Sequence, residues 1–286
     1  MFTIFRYHLS RARFTIVIWG LSLTAYGAYI LTFYETFIEQ REVMEELLKQ
    51  YPPEVFAFVG GMTDMFSRGG YLNVYFFYLM PLVLGIYAVL SGSGLLVADE
   101  EGGVLDLVMA HPVSRTTLFF SRLAAFIVSL ILIIAITWTG FILVLPNTGL
   151  DITPGELLLP FLSLFSALLF FGCLGVLLSM LLPSRSASAM LTSFLLVASF
   201  LMISLIDLNP DLEGVAQFTP LYYYQGGFAL EGLDWGWFGG LMGFAILFIV
   251  LAWRLFEKRD IRVGGEGGWQ LPWKRRRRIA SEGAVG

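Results

Sequence analysis

Six long apolar blocks constrain this chain more than any other feature of its sequence. They cover approximately residues 14–34, 73–97, 123–145, 159–182, 188–207 and 237–256. Each block is long enough to cross a hydrocarbon core of about 30 Å as an α-helix. Because backbone N–H and C=O groups in lipid must be satisfied within the protein, a helix is the natural form of such a segment. We therefore predict an all-α integral membrane protein with six transmembrane helices.

The composition agrees with this class of protein. The chain has 286 residues, of which 57% are hydrophobic and 14% are charged, whereas about a quarter of a soluble domain is charged. We place a transmembrane domain at residues 1–256 and a basic cytoplasmic tail at 257–286. Cys173 is the only cysteine, so no disulfide forms within the chain, and its apolar surroundings predict a buried thiol.

The distribution of basic residues predicts the orientation. An even number of spans places both termini on one side of the membrane. Arginines and lysines concentrate near the two termini and in the loops after the second and fourth blocks, and only Arg41, Lys49 and Arg68 fall in the other loops. The positive-inside rule then makes both termini cytoplasmic. We expect the membrane to be a plasma membrane, the inner membrane of a prokaryote. A cleaved signal peptide is the alternative for the first block, although its apolar core is longer than usual.

The segments outside the blocks carry weaker patterns. Phe2, Phe5 and Leu9 recur at helical spacing among arginines and predict an N-terminal amphipathic helix on the membrane surface, with an unstructured basic flank as the alternative. In the outer loop 35–72, we expect a helix at 35–50 with a Glu45–Lys49 pair, followed by a glycine-rich return through Gly60–Gly61 and Gly69–Gly70. Basic residues 274–278 fit an anchor on anionic membrane lipids rather than a nucleic-acid contact.

Aromatic residues in the outer loop 208–236 admit two interpretations. Tyr222, Tyr223, Tyr224, Trp235 and Trp237 fall close to the start of the sixth block. They are typical of an interfacial aromatic belt, and they would equally suit the lining of a substrate exit.

The chemistry that the chain lacks narrows its function. No block carries a central ionisable residue of the kind that proton-coupled pumps use. The two histidines, His8 and His111, are far apart and do not make an ordinary zinc site. No lysine stands in a G-x-x-x-x-G-K-[ST] phosphate-binding pattern. We therefore expect no catalytic, cofactor-binding or metal-binding residues, and any energy for transport must come from a partner.

The segment between the second and third blocks, 97–115, reads VADEEGGVLDLVMAHPVSR. Gly102–Gly103 interrupts the preceding helix. A short helix then presents Val104, Leu107, Val108 and His111 on one face. Pro112 ends this helix, and Ser114 is placed to cap the next one. A short helix across the cytoplasmic mouth of two spans is a suitable contact for a soluble ATPase.

This segment resembles the signature of the type-2 ATP-binding-cassette (ABC) permease family. The matching positions are Glu100–Glu101, Gly103, residues 105–109, the Pro112–Arg115 turn and the later basic residue Arg122. Val104 departs from the threonine that is usual in the family. The resemblance extends to the plan of the chain, with an amphipathic start, six spans and a cytoplasmic segment after the second.

The resemblance implies the permease subunit of an ABC exporter, which forms the translocation pathway. Its expected partners are two soluble ABC ATPase subunits, which would hold the ATP and Mg²⁺, and a second copy of the permease or a related one. The implied ATPase-docking residues are Glu100, Glu101, Gly103, Val104, Leu107, Val108, His111, Pro112 and Arg115. Glu100 and Glu101 either pair with basic residues of the ATPase or hold the N-terminal helix through Arg11 or Arg13. Residues 183–186 form a second, weaker contact.

Two other classes of function stay open at this point. One is a membrane scaffold or sensor that is linked to an ATPase but transports nothing, and the other is a self-contained lipid-modifying enzyme. An enzyme would keep its activity without any ATPase, whereas a transporter's ATP hydrolysis would respond to its substrate. The aromatic content of 16% favours a hydrophobic or amphipathic cargo without identifying it.

Overall fold

The computed structural model describes residues 2–48, 50, 65–101, 113–206 and 208–258. In these ranges the regular structure is helical throughout and contains no strand, which confirms the all-α prediction. The α-helices are α1 (Phe2–Glu39), α2 (Arg41–Leu48), α3 (Arg68–Leu72), α4 (Met80–Ser93), α5 (Val97–Glu101), α6 (Arg115–Val144), α7 (Pro154–Leu181), α8 (Arg185–Ile206), α9 (Glu213–Ala216) and α10 (Trp235–Lys258). Residues Asn73–Phe77 form a π-helical segment, and short 3₁₀ turns cover Leu145–Asn147, Pro210–Leu212, Pro220–Tyr223 and Gly226–Glu231.

Five of these helices are long and apolar enough to cross a membrane, namely α1, α6, α7, α8 and α10. A bent pair, in which Arg68–Phe77 and Met80–Ser93 meet at 44°, is a candidate for the sixth. Five of the six predicted blocks therefore correspond to continuous helices, and the second block corresponds to this bent pair. The predicted continuous span at 73–97 differs from the structure, because it is divided at residues 78–79.

Pro81 gives the physical reason for the break. A proline in a helix has no N–H to donate to the carbonyl four residues earlier, which here belongs to Phe77. The preceding turn is already widened, since the Tyr78 N–H bonds to the Asn73 carbonyl at 2.8 Å, the i→i−5 pattern of a π-helix. The hydroxyl of Tyr224 donates to the Phe77 carbonyl oxygen at 2.8 Å. A side chain from a distant loop thus replaces the hydrogen bond that proline removes.

Helix α7 is the centre of the bundle and the most buried of the spans. It packs against α4 and α10 on different sides, while α1 packs along α6. Four rings from three different spans, Phe76, Phe77, Phe141 and Phe161, form a cluster with centroid separations of 4.8–6.2 Å. The fully buried Cys173 lies in α7, as its apolar surroundings predict.

The N-terminal and outer segments differ from the expectations in detail. Helix α1 runs without a break from Phe2 to Glu39, so the predicted amphipathic segment forms its first turns rather than a separate element. The predicted outer helix is divided by a turn at Gln40. In α2, Glu45 pairs with Arg41 at 2.7 Å, while Lys49 lies outside the described residues.

Of the predicted glycine-rich return, Gly60–Gly61 lies outside the described residues, and the part at Gly69–Gly70 is wrong. Both glycines belong to α3 and are buried. A Cβ atom on Gly69 would lie 3.1 Å from the carbonyl oxygen of Gly227. These glycines therefore permit the backbones of α3 and the 3₁₀ turn at Gly226–Glu231 to pack closely.

The helix directions bring the two ends of the described chain together. His8 of α1 lines a cavity that Asp99 of α5 also lines. At the same end, Arg115 at the start of α6 donates to the Phe256 carbonyl near the end of α10. We call this the α5 end of the bundle. The first turns of α1 and the last turn of α10 therefore both lie at the α5 end.

Candidate functional site

The predicted docking segment lies between α5 and α6 in the sequence. Of its predicted docking residues, Glu100, Glu101 and Arg115 are described. Gly103, Val104, Leu107, Val108, His111 and Pro112 lie outside the described residues. The structure shows how the residues before 102 and after 112 contact neighbouring helices. We call these residues the two flanks of the segment.

Glu101 attaches the first flank to α8. Its Oε1 accepts a hydrogen bond from the backbone N–H of Arg185 at 2.7 Å, at the start of α8. Ser184 Oγ accepts from the Ala187 N–H in the same turn at 3.2 Å. Acceptors at a helix N-terminus satisfy N–H groups that have no partner within the helix, and a carboxylate is also favoured there by the helix dipole. Residues 183–186 were predicted as a second contact with the ATPase. They are thus joined to Glu101 of the first predicted contact.

The two glutamates of the predicted motif have different environments. Glu100 is buried, with 8% of its surface exposed, whereas Glu101 is exposed. Of the two arginines considered as their partners, Arg13 places its guanidinium 4.8 Å from the ring centre of Phe14, and Arg11 lines the cavity described below. The bond from Glu101 to the Arg185 backbone was not among the alternatives that the sequence suggested.

The second flank is capped and tied to α10. Ser114 Oγ accepts from the Thr117 N–H at 3.2 Å and is the N-cap of α6, as predicted. Arg115 Nη1 donates to the Phe256 carbonyl oxygen at 3.3 Å. Thr116 Oγ1 donates to Glu257 Oε1 at 2.6 Å. These two hydrogen bonds therefore connect the start of α6 to the last turn of α10.

A buried ion pair joins α5 to α6 one level deeper in the bundle. Arg122 Nη2 lies 2.6 Å from Asp99 Oδ2, and Arg122 Nη1 donates to the Leu95 carbonyl oxygen at 3.0 Å. Only 3% of the Arg122 side chain is exposed. Its Nε has no hydrogen-bond partner among the described residues. The sequence marked Arg122 as part of the motif but did not indicate Asp99 as its partner.

A cavity of about 230 Å³ opens beside this ion pair. It lies between α1, α4, α5 and α6, and its walls include His8, Arg11, Tyr87, Asp99 and Arg122. The Tyr87 hydroxyl donates to Ser129 Oγ at 2.7 Å. The cavity is therefore lined in part by charged and hydroxyl groups.

The aromatic residues of the outer loop do not form a single surface. Trp235 is largely exposed, and Tyr224 reaches the Phe77 carbonyl inside the bundle. Tyr223 and Trp237 lie with ring centres 5.8 Å apart and line a second cavity of about 390 Å³. The walls of this second cavity also include the apolar side chains Phe170, Phe218, Leu241, Phe244 and Phe248. Some of these aromatic residues are thus exposed, as in an interfacial belt. Others line a cavity, which is the arrangement that a substrate exit would need.

Within the described ranges, no three His, Cys, Asp or Glu side chains are close enough to share a metal ion. The charged groups at the α5 end are used instead to join helices to one another. The fold and these contacts define the chain as a polytopic α-helical membrane protein whose distinctive polar structure lies at one end of the helix bundle.

Residues 8–261 match the sequence model of the ABC-2 family transporter proteins. This match covers most of the chain, so the protein belongs to that family and is the permease component of an ABC transporter. No curated protein matches the chain.

Proposed function

We propose that this chain is the permease subunit of an ATP-driven exporter. In this proposal it forms the translocation pathway, and residues 102–112 couple it to a separate soluble ATPase. The basic flanks support a cytoplasmic location for both termini and the α5 end, by the positive-inside rule, and the proposed membrane is the plasma membrane of a prokaryote. Since the sequence carries no phosphate-binding loop, the ATP and Mg²⁺ belong to the partner.

The observation that carries the proposal is the attachment of both flanks of residues 102–112. Glu101 is bonded to the start of α8, and Arg115 is bonded to the end of α10. Asp99 and Arg122 form the ion pair between α5 and α6. A displacement of residues 102–112 would therefore act on several spans at once, as a mechanical coupling to an ATPase requires.

We further propose an assembly of two permease chains with two ATPase subunits. Family membership supports a partnership with an ABC ATPase, and the two nucleotide-binding subunits would each contact one permease. The second permease is either another copy of this chain or a related one. The mass of the intact complex distinguishes these cases from a single permease.

Co-purification tests the docking segment directly. The protein is extracted from its native membrane in mild detergent, and the proteins bound to it are identified and quantified by mass spectrometry. We expect a soluble ABC ATPase with the natural sequence and at least a tenfold loss with Leu107→Asp. Met109→Asp is the matched control, because residue 109 falls on the opposite face of a helix at 104–111. Equal loss with both variants, or no loss with either, contradicts docking through this face.

Two substitutions of Glu101 separate docking from folding. Glu101→Gln keeps an oxygen that accepts from the Arg185 N–H, but it removes the negative charge. Glu101→Lys removes both the acceptor and the charge. If Glu101 acts on basic residues of the ATPase, both variants lose the partner while Glu101→Gln retains the thermal stability of the wild type. If Glu101→Gln binds the ATPase as well as the wild type does, the role of Glu101 is restricted to the contact with α8.

Absence of any ATPase under gentle extraction would contradict the coupling proposal as a whole. Activity of the isolated chain on lipids would then favour an enzyme. If an ATPase is bound, its ATP hydrolysis is measured with the complex in lipid vesicles. Stimulation by candidate hydrophobic cargoes supports transport, whereas hydrolysis that no candidate cargo alters favours an ATPase-linked scaffold or sensor.

A further inference from the structure

The polar cavity at the α5 end has an excess of positive charge. Its lining includes two guanidinium groups, from Arg11 and Arg122, and Asp99 is the one acidic residue among its lining residues. The Asp99 carboxylate is paired with Arg122 at 2.6 Å. The charge of Arg11 therefore has no opposite charge within the cavity walls, and the cavity as a whole favours an anion.

Arg122 has an incomplete set of acceptors. A guanidinium carries five N–H donors in a planar fork. One terminal nitrogen faces Asp99, the other donates to the Leu95 carbonyl, and Nε has no partner among the described residues. A buried donor without an acceptor is costly, and Arg122 is almost fully buried. A ligand that brings further oxygen acceptors into the cavity would relieve this cost.

The charged groups of the wall fit a phosphate. Arginine forks are common partners of phosphate oxygens. The hydroxyl-bearing side chains Tyr87, Ser91 and Ser129 line the same cavity, and those of Tyr87 and Ser129 donate to protein acceptors. A cavity of about 230 Å³ is several times larger than the roughly 30 Å³ that one water molecule takes in the liquid. It accommodates a phosphate group with part of what the phosphate is attached to.

The position of the cavity along the bundle indicates the source of that phosphate. Arg11 stands three residues before the first apolar block, and Arg122 directly precedes the third. Both are therefore at the level of the lipid head groups, beside the hydrocarbon core. The lining continues from Arg122 along α6 with Ala125, Phe126 and Ser129. The charged groups of the wall are thus at the head-group level, and the deeper wall is uncharged.

We propose that this cavity binds the phosphate group of a membrane phospholipid, with Arg11 and Arg122 as its cationic contacts. The bound lipid would lie in the leaflet at the α5 end. It would connect α1 to α5 and α6 through the head group. The proposal concerns binding alone and does not rest on the exporter function, so it is tested on the purified permease without an ATPase.

The test compares three probes on the delipidated protein in detergent. These are phosphatidylglycerol, a diacylglycerol with the same acyl chains and no phosphate, and inorganic phosphate. We expect phosphatidylglycerol to raise the Tm by several degrees and native mass spectrometry to retain one lipid per chain. Diacylglycerol is expected to leave the Tm unchanged. A similar rise with diacylglycerol would overturn the phosphate site, and a similar rise with inorganic phosphate at equal concentration would overturn the lipid as its source.

Two arginine variants locate the site. Arg11→Gln removes the exposed cationic wall of the cavity, and we expect the affinity for phosphatidylglycerol to fall about fivefold. Arg13→Gln is the matched control, because Arg13 is exposed on the same helix and packs over Phe14 instead of lining the cavity. The affinity of Arg13→Gln should equal that of the wild type. Equal loss in both variants would show general attraction to an anionic lipid surface and would overturn the site.

Arg122→Lys provides a second measurement at the buried end of the cavity. It keeps the positive charge beside Asp99 but removes the guanidinium fork and its Nε. We expect a loss of phosphatidylglycerol affinity of at least fivefold, with the lipid-free Tm measured in parallel to follow folding. Unchanged affinity in a folded Arg122→Lys variant would overturn the assignment of Arg122 as a phosphate contact.

Discussion

The hydroxyl of Tyr224 donates a hydrogen bond of 2.8 Å to the carbonyl oxygen of Phe77, across 147 positions of the sequence. Pro81 stands four residues after Phe77 and has no N–H to offer that carbonyl. Tyr224 lies outside the spans, and burial raises its pKa well above the ordinary value of a tyrosine. The hydroxyl therefore remains protonated and a donor at physiological pH. A side chain from the loop before α10 therefore contributes to the bend between Arg68–Phe77 and α4.

We expect Tyr224→Phe to lower the free energy of unfolding by about 1–3 kcal/mol, because the carbonyl of the buried Phe77 loses the hydroxyl that donates to it. The measurement is the unfolding midpoint in detergent. Tyr223→Phe is the matched control, since Tyr223 donates to the exposed Gln217 carbonyl, and we expect a change within about 0.5 kcal/mol.

A double-mutant cycle tests the connection with Pro81. Alanine at position 81 restores an N–H that is able to donate to Phe77. In a Pro81→Ala background, Tyr224→Phe should therefore cost less than in the wild type, with a coupling of about 1 kcal/mol. Additive effects would show that Tyr224 stabilises the protein by packing and not through the Phe77 carbonyl.

The second prediction concerns the turn that packs on α3. Asn73 is buried, and its Oδ1 accepts from the Gly227 N–H at 3.0 Å. The neighbouring Gly226 has φ +53, and a Cβ atom there would lie 2.3 Å from Asn73 Oδ1. An alanine at position 226 would therefore have a strained backbone and a Cβ atom that clashes with Asn73. We expect Gly226→Ala to lower the free energy of unfolding by about 1–3 kcal/mol.

Gly214→Ala is the control for Gly226→Ala. Gly214 lies in α9, and a Cβ atom there meets nothing within 4 Å. An alanine in that helix should stabilise the protein by up to about 0.5–1 kcal/mol. If both glycine variants change the unfolding midpoint equally, neither the backbone conformation of Gly226 nor its contact with Asn73 is important for stability.

The third prediction concerns the crossing of α4 and α7. A Cβ atom on Gly92 would lie 2.1 Å from the carbonyl oxygen of Gly172. Since the carbonyl oxygen belongs to the backbone, the two helices would have to separate. Gly92→Ala should therefore lower the free energy of unfolding by about 1–3 kcal/mol. Small residues allow such close approach between membrane helices.

Gly155→Ala tests the specificity of that effect, because Gly155 lies in the first turn of α7 with nothing within 4 Å of its Cβ position. We expect the unfolding midpoint of Gly155→Ala to stay close to that of the wild type. A comparable loss at Gly155 would indicate a general cost of alanine in these helices and not a cost of the crossing.

The apolar blocks predict most of the fold because lipid imposes a simple rule on each segment separately. Length, hydropathy and backbone hydrogen bonding determine that a span is helical, whichever helices surround it. The sequence did not predict the break at 78–79, because the residues that produce it are far apart in the chain. Pro81 alone is tolerated in membrane helices, and the hydroxyl that satisfies Phe77 comes from Tyr224, which is remote in sequence.

The candidate site could be predicted only in part, for a related reason. The capping role of Ser114 follows from its position before α6, since a cap is a local interaction. The contacts of Glu101 with the Arg185 backbone and of Asp99 with Arg122 connect different helices. A carboxylate pattern in the sequence shows that charge is present, but which donor it meets depends on how the helices pack.

The last prediction concerns the ion pair of Asp99 with Arg122. Removing one member of a buried pair leaves the other charge without a partner. We expect Asp99→Asn to cost about 3 kcal/mol in the free energy of unfolding. Arg122→Met should cost less, because 24% of the Asp99 side chain is exposed and water can solvate its carboxylate. The double variant should be more stable than the sum of the two losses predicts, by about 1–3 kcal/mol.

The exposed pair of Arg41 with Glu45 provides the comparison for this cycle. Its two side chains are 58% and 41% exposed, and such pairs contribute about 0–1 kcal/mol. Salt should weaken the Arg41–Glu45 pair because mobile ions screen exposed charges. The coupling of Asp99 to Arg122 should change little between low and high salt, since the guanidinium is buried. A coupling between Asp99 and Arg122 that weakens in high salt would mean that solvent reaches the pair. The pair would then not stabilise the contact between α5 and α6.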